Sequence, residues 1–262
     1  MTTDPTTEFA EIEIGGGRRI ACDAAFETEI VWEQLRTSGL YAEAAAGLRA
    51  GDVIVDVGAH IGLAAILFTD LVPGIEILGF EPAPRSYACL ELNRERHLPT
   101  TTISPLAIGT RPGPADLTYY PGHTTLATLF VDDADDVRNM ESVMNHRDVP
   151  AEMRDEFWPT FRADPETVPV EVSTLEQQLT ERGIDEIALL KVDVERAELD
   201  VLNSLGAHRW PRVRRVIVEV HDLDGRLNQV TELLEGHGYQ VRVATEDDFA
   251  EGSIRMVVAA RE

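Results

Sequence analysis

The feature that most constrains the fold is an alternation of short apolar segments with amphipathic ones, beginning at residue 52. The apolar segments predict buried strands at residues 53–57, 75–80, 101–103, 188–193 and 213–220. The segments between them have helical spacing, at residues 60–71, 84–97, 173–182, 195–205 and 223–235. Nearly continuous apolar strands separated by helices are typical of a parallel sheet that is covered on both faces.

The C-terminal segment breaks this alternation. Residues 239–243 and 253–260 predict two strands joined by a short acidic loop, and no helix fits between them, so we expect them to pair as a hairpin. We therefore predict an α/β fold with a Rossmann-like, mostly parallel seven-stranded sheet that ends in an antiparallel hairpin and has helices on both faces.

The domain prediction places a boundary near residue 50. Residues 1–50 are expected to form a polar tail, a hairpin around the glycines at 15–17 and a helical cap, and residues 51–262 the main α/β domain. An insertion at about 111–168 interrupts that domain, and we expect it to be a partly helical lid over the carboxyl edge of the sheet. A long solvated excursion is the alternative.

Composition limits the partners. The chain has a formal net charge of −24 and a pI near 4.6, which disfavours nucleic acid and anionic membrane surfaces, so a small-molecule partner is expected. Cys22 and Cys89 lie far apart and have neither metal-binding nor redox-motif spacing. The sequence also has no apolar run of transmembrane length, and no signal-peptide pattern is visible, so we expect a cytoplasmic protein.

A glycine turn follows the first strand of the main domain, in VIVDVGAHIG at residues 53–62. Such a turn lets a ligand approach the backbone, and Glu81, nineteen residues after Gly62, can accept hydrogen bonds from a ribose. The dinucleotide fingerprint would need glycine where His60 and Leu63 stand. S-adenosylmethionine has no phosphate and tolerates this loop, and Asp56 adds negative charge where its ammonium or sulfonium is expected. A structural turn without a ligand is the alternative.

The sequence resembles the FkbM family of class I S-adenosylmethionine-dependent methyltransferases over roughly residues 25–220. The resemblance is carried by FETEIVWEQLRTSGLY, GDVIVDVGAHIG, GFEPAPRSYACLELN, PLAIG and the segment ending LLKVDVERAELDVLNSLG. It implies methyl transfer, usually to a hydroxyl oxygen of a small natural-product or sugar-like acceptor. We expect the cofactor to be contacted by Tyr41, Asp56, Gly58, His60, Gly62, Glu81, Leu106 and Asp193.

The family pattern K-x-D-x-E-G-A-E is matched at residues 191–198, with one departure. Lys191, the only lysine in the chain, shares a strand side with Asp193, and we expect it to pair with Asp193 or Asp56. Neutralising a locally acidic strand end is the alternative role for Lys191. Glu195 suits either catalysis or the dipole of the next helix. Arg196 replaces the family's glycine and either recognises an anionic acceptor or points outward to acids of the next helix.

The catalytic residues predicted from the sequence are His221, Asp193 and Lys191. His221 follows the fifth strand and is the first candidate for the base that removes the acceptor's proton, with His123 as the second. Carboxylates at Asp193, Glu219 and Asp222 offer an alternative Mg²⁺ site, although contacts of these acids with cofactor or water are favoured over a metal.

Acceptor binding is assigned to the insertion and the loop after the fourth strand, through His123, Glu195, Arg196 and Trp158. An apolar acceptor pocket is expected from Met140, Met144, Met153, Phe157, Trp158 and Phe161, unless these side chains only anchor the insertion. The basic segment 208–215 suggests an acidic carrier protein, but a solvated loop is favoured. Two other functions stay open: a nicotinamide-dependent oxidoreductase and a non-catalytic protein that binds an adenosyl ligand.

Overall fold

The computed structural model describes residues 9–261, so most of the predicted polar tail lies outside the described residues. The N-terminal part begins with an antiparallel hairpin of β1 (Ala10–Ile14) and β2 (Arg18–Cys22), as predicted. The predicted helical cap follows as α1 (Ala25–Thr37) and the short α2 (Leu40–Ala44).

The first half of the main domain alternates strands and helices. It contains β3 (Val53–Val57), α3 (Leu63–Leu71), β4 (Glu76–Phe80), α4 (Pro84–His97) and β5 (Thr101–Ser104). The bounds of β3 and α4 match the prediction. Helix α3 begins three residues later than predicted because His60 and Gly62 adopt positive φ angles, which an α-helix does not accommodate.

A second, three-stranded sheet forms beside the main sheet, and the sequence did not predict it. It consists of β6 (Leu106–Ile108), β7 (Gly113–Tyr119) and β8 (Glu166–Ser173), in the order β6-β8-β7. Strands β7 and β8 pair antiparallel and bracket the helical part of the insertion, α5 (Asp133–His146) and α6 (Ala151–Phe157). The insertion is therefore anchored at both ends by backbone hydrogen bonds.

The second half of the main domain completes the sheet. Its elements are α7 (Leu175–Arg182), β9 (Ile187–Val192), α8 (Glu198–Asn203), β10 (Val213–His221), α9 (Arg226–Gly236), β11 (Gln240–Ala244) and β12 (Ile254–Ala260). Helix α7 begins two residues later than predicted, because Thr174 is its N-cap and accepts a hydrogen bond from the Gln177 N–H.

The main sheet has seven strands in the order β11-β12-β10-β9-β3-β4-β5. Neighbouring strands from β10 to β5 are parallel, and β12 runs antiparallel to both β10 and β11. The predicted Rossmann-like sheet with a terminal antiparallel hairpin is confirmed. In such a sheet, ligands bind at the carboxyl ends of the parallel strands.

Both faces of the sheet are covered, as alternation along β3 shows. Ile54 belongs to an apolar cluster that includes residues of α3 and the N-terminal cap, whereas Val55 and Val57 belong to a cluster that includes residues of α7, α8 and α9. Successive side chains of a strand point to opposite faces, so the two clusters are the two layers of core.

Three further features bear on the sequence expectations. Cys22 and Cys89 are buried free thiols. Within residues 9–261, no helix combines the length and apolarity that crossing a bilayer requires. In the basic segment 208–215, the side chains of Arg209 and Arg214 form ion pairs with Glu176 and Asp52, so acids of this chain already partner part of its charge.

Candidate active site

A cavity of about 570 Å³ opens at the carboxyl edge of the main sheet. This volume lies within the range of roughly 300–1,000 Å³ that is usual for small-molecule sites. Its walls come from the ends of β3, β4, β9 and β10, from α1 and Tyr41 of the N-terminal cap, and from the insertion. The insertion thus contributes part of the cavity wall.

The glycine turn after β3 is crowded by the loop after β9. A Cβ placed on Gly58 would lie 1.6 Å from the carbonyl oxygen of Asp193, and the residue also has a φ of +79°. Any larger residue there would have to displace backbone. Gly62 has a φ of +93° and packs against Leu90 of α4, where a Cβ would lie 2.9 Å from Cδ1. Packing and positive φ angles therefore both require glycine at these two positions.

Glu81, at the end of β4, is buried and held by backbone donors. Its Oε2 accepts a hydrogen bond from the His60 N–H at 2.8 Å, and its Oε1 accepts one from the Ala83 N–H at 2.9 Å. Burial raises the pKa of this carboxyl to about 7. Each oxygen keeps a further lone pair, so a carboxylate in this position can also accept hydrogen bonds from a diol.

Lys191 lies between two carboxylates, the partners expected from the sequence. Its Nζ is 3.0 Å from Asp56 Oδ1 and 3.4 Å from Asp193 Oδ2, and it donates a hydrogen bond of 2.5 Å to the Gly58 carbonyl. Burial alone would lower the pKa of Lys191, but the effect of the two carboxylates is larger and raises that pKa above its usual value. Lys191 therefore stays charged and links β3, β9 and the glycine turn.

Two of the remaining predicted cofactor positions line the same cavity, whereas Gly62 and Asp56 are not among the described residues that line it. Tyr41 and Leu106 both line the cavity, and the Tyr41 ring packs against Phe68 with centroids 5.7 Å apart. Burial raises the pKa of Tyr41 well above its usual value, so its side chain is a neutral phenol. Asp56 is fully buried behind Lys191.

Glu27 of α1, which the sequence did not single out, ties the cap to the insertion. Its carboxylate accepts hydrogen bonds from the backbone N–H and the hydroxyl of both Thr124 and Thr125, at 2.7–3.3 Å. The Thr124 hydroxyl is also 2.7 Å from Nε2 of His60 in the glycine turn. Burial lowers the pKa of His60, which favours the neutral ring. These contacts close the cavity over the turn.

His221, at the end of β10, is buried between two carboxylates. Its Nδ1 is 2.9 Å from Asp135 Oδ2 on the insertion helix α5, and its Nε2 is 3.1 Å from Glu195 Oε2. Burial opposes the imidazolium, but the charge of Glu195 and the hydrogen bond with Asp135 raise the pKa of His221 well above its usual value. Asp135 therefore fixes the ring so that Nε2 faces the cavity.

Arg196 contradicts both expectations for it. Its guanidinium neither lines the cavity nor points outward; it is buried and pairs with Asp135 at 3.0 Å and with Asp136, both in the first turn of α5. The backbone φ of Arg196 is +78°, a conformation that suits the glycine found here in the family pattern. Glu195 also has a positive φ, which is why α8 begins at Glu198 and not at 195 as predicted.

Three side chains converge near the ends of β9 and β10: Glu195, Glu219 and His221 each offer an atom within 4.8 Å of the others. Burial, with the nearby charges of Asp193 and Glu195, raises the pKa of Glu219 well above its usual value. This group differs from the metal set predicted from the sequence. Asp222 is exposed and its Oδ1 accepts a hydrogen bond from the Leu227 N–H of α9.

The insertion supplies an apolar wall. His123 packs edge-on against Phe157 and Phe161, with ring centroids 5.4 Å apart in both pairs, and all three line the cavity together with Met140. Burial lowers the pKa of His123. Three expected members lie elsewhere, and one of them, Met144, is buried outside the cavity lining. Trp158 packs behind Phe157 and Phe161 and is not among the described residues that line the cavity, and Met153 is exposed.

The residues of the site that sequence reasoning missed are mostly acids of α1 and α5. Asp135 and Asp136 lie in the run DDADD, and their burial is the surprise, because a run of acids is usually solvated. Charge balance could have indicated them. A buried arginine in place of the family's glycine needs acidic partners, and this run of acids lies close to the strand ends in the fold.

The seven-stranded sheet, its glycine turn and the carboxylates at the ends of β4 and β9 define a Rossmann-like methyltransferase of the S-adenosylmethionine-dependent class. The model of the family described as "Methyltransferase FkbM domain" matches residues 56–241. The chain belongs to this FkbM family.

Relatives of known name are similar over nearly the whole chain. The 31-O-demethyl-FK506 methyltransferase FkbM of Streptomyces tacrolimicus is 34% identical over 251 residues, which covers 95% of this chain and 96% of the relative. Methyltransferase sdnD of Sordaria araneosa is 31% identical, covering 90% and 91%. The solved structure of magnesium protoporphyrin IX methyltransferase from Synechocystis PCC 6803 aligns with a TM-score of 0.46 and 11% identity, covering 90% of this chain and 83% of that one.

Proposed function

We propose that this protein transfers a methyl group from S-adenosylmethionine to a hydroxyl oxygen of a small natural-product or sugar-like acceptor. The observation that carries the proposal is a single cavity with two kinds of lining. It is lined by the glycine turn, Glu81 and Asp193, and also by apolar side chains of the insertion. A polar donor and a largely apolar acceptor would then meet at the ends of β9 and β10.

The donor side fits an adenosyl amino acid. Glu81 is positioned by two backbone N–H groups and retains lone pairs for the ribose hydroxyls, and Gly58 also lines the cavity. Asp193, oriented by Lys191, offers negative charge for the ammonium or sulfonium. When bound, S-adenosylmethionine supplies the electrophilic methyl group. The residues of the chain bind it and orient it.

The acceptor side fits a molecule with an apolar body and a hydroxyl. Phe157, Phe161 and Met140 would bury the apolar part, which also excludes water from the reacting atoms. The hydroxyl would lie beside Glu195 and His221, which line the cavity at these strand ends. Methyl transfer is an in-line displacement, so most of the rate enhancement is expected to come from holding the two reactants in line.

The choice of oxygen as the methylated atom draws support from a relative. The Streptomyces tacrolimicus protein is named for a 31-O-demethyl substrate, a name that specifies an oxygen. The FK506 derivative in that name also supports a natural-product acceptor for this chain.

The first experiment is a calorimetric titration of the purified protein with S-adenosylmethionine and S-adenosylhomocysteine, with NAD⁺ as the control ligand. Two variants accompany the wild type: Glu81→Ala, and Glu76→Ala as a matched control at the exposed start of the same strand. We expect saturable binding of the first two ligands, at least tenfold weaker in Glu81→Ala and unchanged in Glu76→Ala. Preference for NAD⁺, or no binding, would refute the proposal.

A screen of hydroxylated small molecules then tests the transfer itself. Products are followed by mass spectrometry as the addition of one methyl group, and their fragmentation shows whether an oxygen carries it. Methylation at carbon or nitrogen alone would refute O-methylation. Tight cofactor binding with no transfer across a broad panel would favour the non-catalytic alternative.

A further inference from the structure

The group formed by Glu195, Glu219 and His221 has the composition and placement of a metal site. Two of its members come from β10 and one from the loop after β9, and all three line the cavity. His221 is 2% exposed. Its Nε2 and the Oε2 of Glu195 lie 3.1 Å apart without hydrogen-bond geometry, and neither atom has another hydrogen-bond partner among the described residues.

The other nitrogen of the same ring adds an independent observation. Asp135 lies 2.9 Å from Nδ1 of His221, so that nitrogen donates its hydrogen to a carboxylate. A histidine that binds a metal usually does this, because the second hydrogen bond fixes the ring and directs the lone pair of Nε2 to the ion. Asp135 is itself held by Arg196 at 3.0 Å, which makes this orientation part of the buried core.

We propose that Glu195, Glu219 and His221 bind one divalent cation, and that this cation binds the acceptor's hydroxyl oxygen. One imidazole and two carboxylates suit Mn²⁺, Fe²⁺ or Zn²⁺ better than Ca²⁺, which takes oxygen ligands. Three protein ligands leave coordination positions open for substrate and water. This departs from the expectation that the acids here bind only cofactor or water.

The role of the ion rests on the function proposed above, whereas its binding does not. A hydroxyl bound to a divalent cation loses its proton more readily. The proton leaves to water, the oxygen forms a bond to the methyl carbon, and the carbon–sulfur bond breaks with its electron pair remaining on sulfur. The charge of the ion does not change, so no oxidant or reductant is needed.

The test is a titration of the chelator-treated protein with Mn²⁺, followed by the loss of the free Mn²⁺ signal in electron paramagnetic resonance. We expect one Mn²⁺ per chain, and at least tenfold weaker binding in Glu219→Gln and in His221→Gln. Asp135→Asn removes the negative charge that supports the Nδ1 hydrogen bond of His221 and pairs with Arg196, so it should bind Mn²⁺ about 10–100-fold more weakly. Asp222→Asn, a neighbouring carboxylate directed to α9, is the matched control and should bind as the wild type does.

Calorimetry with S-adenosylmethionine on the same proteins shows that each variant is folded and separates the two proposals. Intact cofactor binding without stoichiometric binding of Mn²⁺ or Zn²⁺ to the wild type would overturn the ion site and leave the methyltransferase proposal standing. So would wild-type affinity for Mn²⁺ in Glu219→Gln. Stoichiometric Mn²⁺ binding, abolished in Glu219→Gln, supports the site even if the cofactor titration fails.

Discussion

Removal of the Arg196 side chain tests how the insertion is held against the sheet. Arg196 is buried and pairs with Asp135 and Asp136, which are 0% and 3% exposed. Arg196→Ala removes the cation but keeps a side chain at a φ of +78°, whereas Arg196→Gly also removes the backbone strain. The two variants therefore separate the electrostatic contribution from the conformational one.

The size of the effect follows from what each carboxylate retains. Removing one partner of a buried ion pair costs about 3–5 kcal/mol, because the other charge is left uncompensated. Here Asp135 keeps His221 at 2.9 Å and Asp136 keeps Arg162 at 2.9 Å, so the lower end, about 3 kcal/mol, applies to Arg196→Ala. Glycine at this φ recovers about 1 kcal/mol, which leaves a loss of about 2 kcal/mol for Arg196→Gly.

The assay is urea unfolding followed by tryptophan fluorescence, with the midpoint and slope fitted for each protein. Both variants should unfold at lower urea with an unchanged slope, and Arg196→Gly should be the more stable of the two. The reasoning is wrong if Arg196→Ala is as stable as the wild type, or if the glycine variant is the less stable one. Arg182→Ala, which removes an exposed arginine from α7, serves as a control and should lose less than Arg196→Ala.

Three further predictions concern the donor side. The pKa of Glu81 is about 7, and only its carboxylate form accepts hydrogen bonds from both hydroxyls of a diol. Calorimetry should therefore show that S-adenosylmethionine binds about tenfold more weakly at pH 6 than at pH 8. A wild-type affinity that does not change with pH, or the same pH dependence in Glu81→Gln, would contradict this. Gly58→Ala should lower the free energy of unfolding in urea by about 2–5 kcal/mol, because its Cβ would meet the Asp193 carbonyl. Gly15→Ala is the control and should be nearly neutral, because the space around Gly15 is open. Equal losses of stability in the two variants would be inconsistent with the contact. Lys191→Met should lose about 3–5 kcal/mol of folding stability, because it leaves Asp56 buried and unpaired. Adding Asp56→Asn to that variant should restore part of the lost stability. Additive losses in the double variant would argue against the ion pair.

The order of strands and helices was predictable because burial imposes regular spacing on the sequence. β3 and α4 were located from apolar pattern alone. β7 and β8 were missed because they are partly exposed, and Pro169 lies within β8, so their pattern does not resemble that of a buried strand. Helix starts were missed where residues such as Glu195 adopt a positive φ, which the sequence does not display.

In the candidate site, too, some residues could be predicted from the sequence and others could not. Residues of the donor side were found because a glycine turn and an acid at a fixed distance have a chemical reason to occur together, as with Gly58 and Glu81. The partners of Arg196 and His221 were not found, because Asp135 is 61 residues from the first and 86 from the second in sequence. Contacts of that kind depend on how the insertion folds back, and a single sequence does not encode them in a readable pattern.

Charge balance connects the donor side, the proposed ion and the insertion. Two buried cations already serve two carboxylates each: Lys191 pairs with Asp56 and Asp193, and Arg196 pairs with Asp135 and Asp136. Like charges in a poorly solvated cavity repel strongly, so the surplus of carboxylates favours occupants that carry positive charge. A sulfonium beside Asp193 and a divalent cation beside Glu195 would each relieve part of that repulsion. Because Asp135 belongs to the insertion, docking of α5 and orientation of His221 depend on the same ion pairs, so loosening of α5 should weaken cation binding.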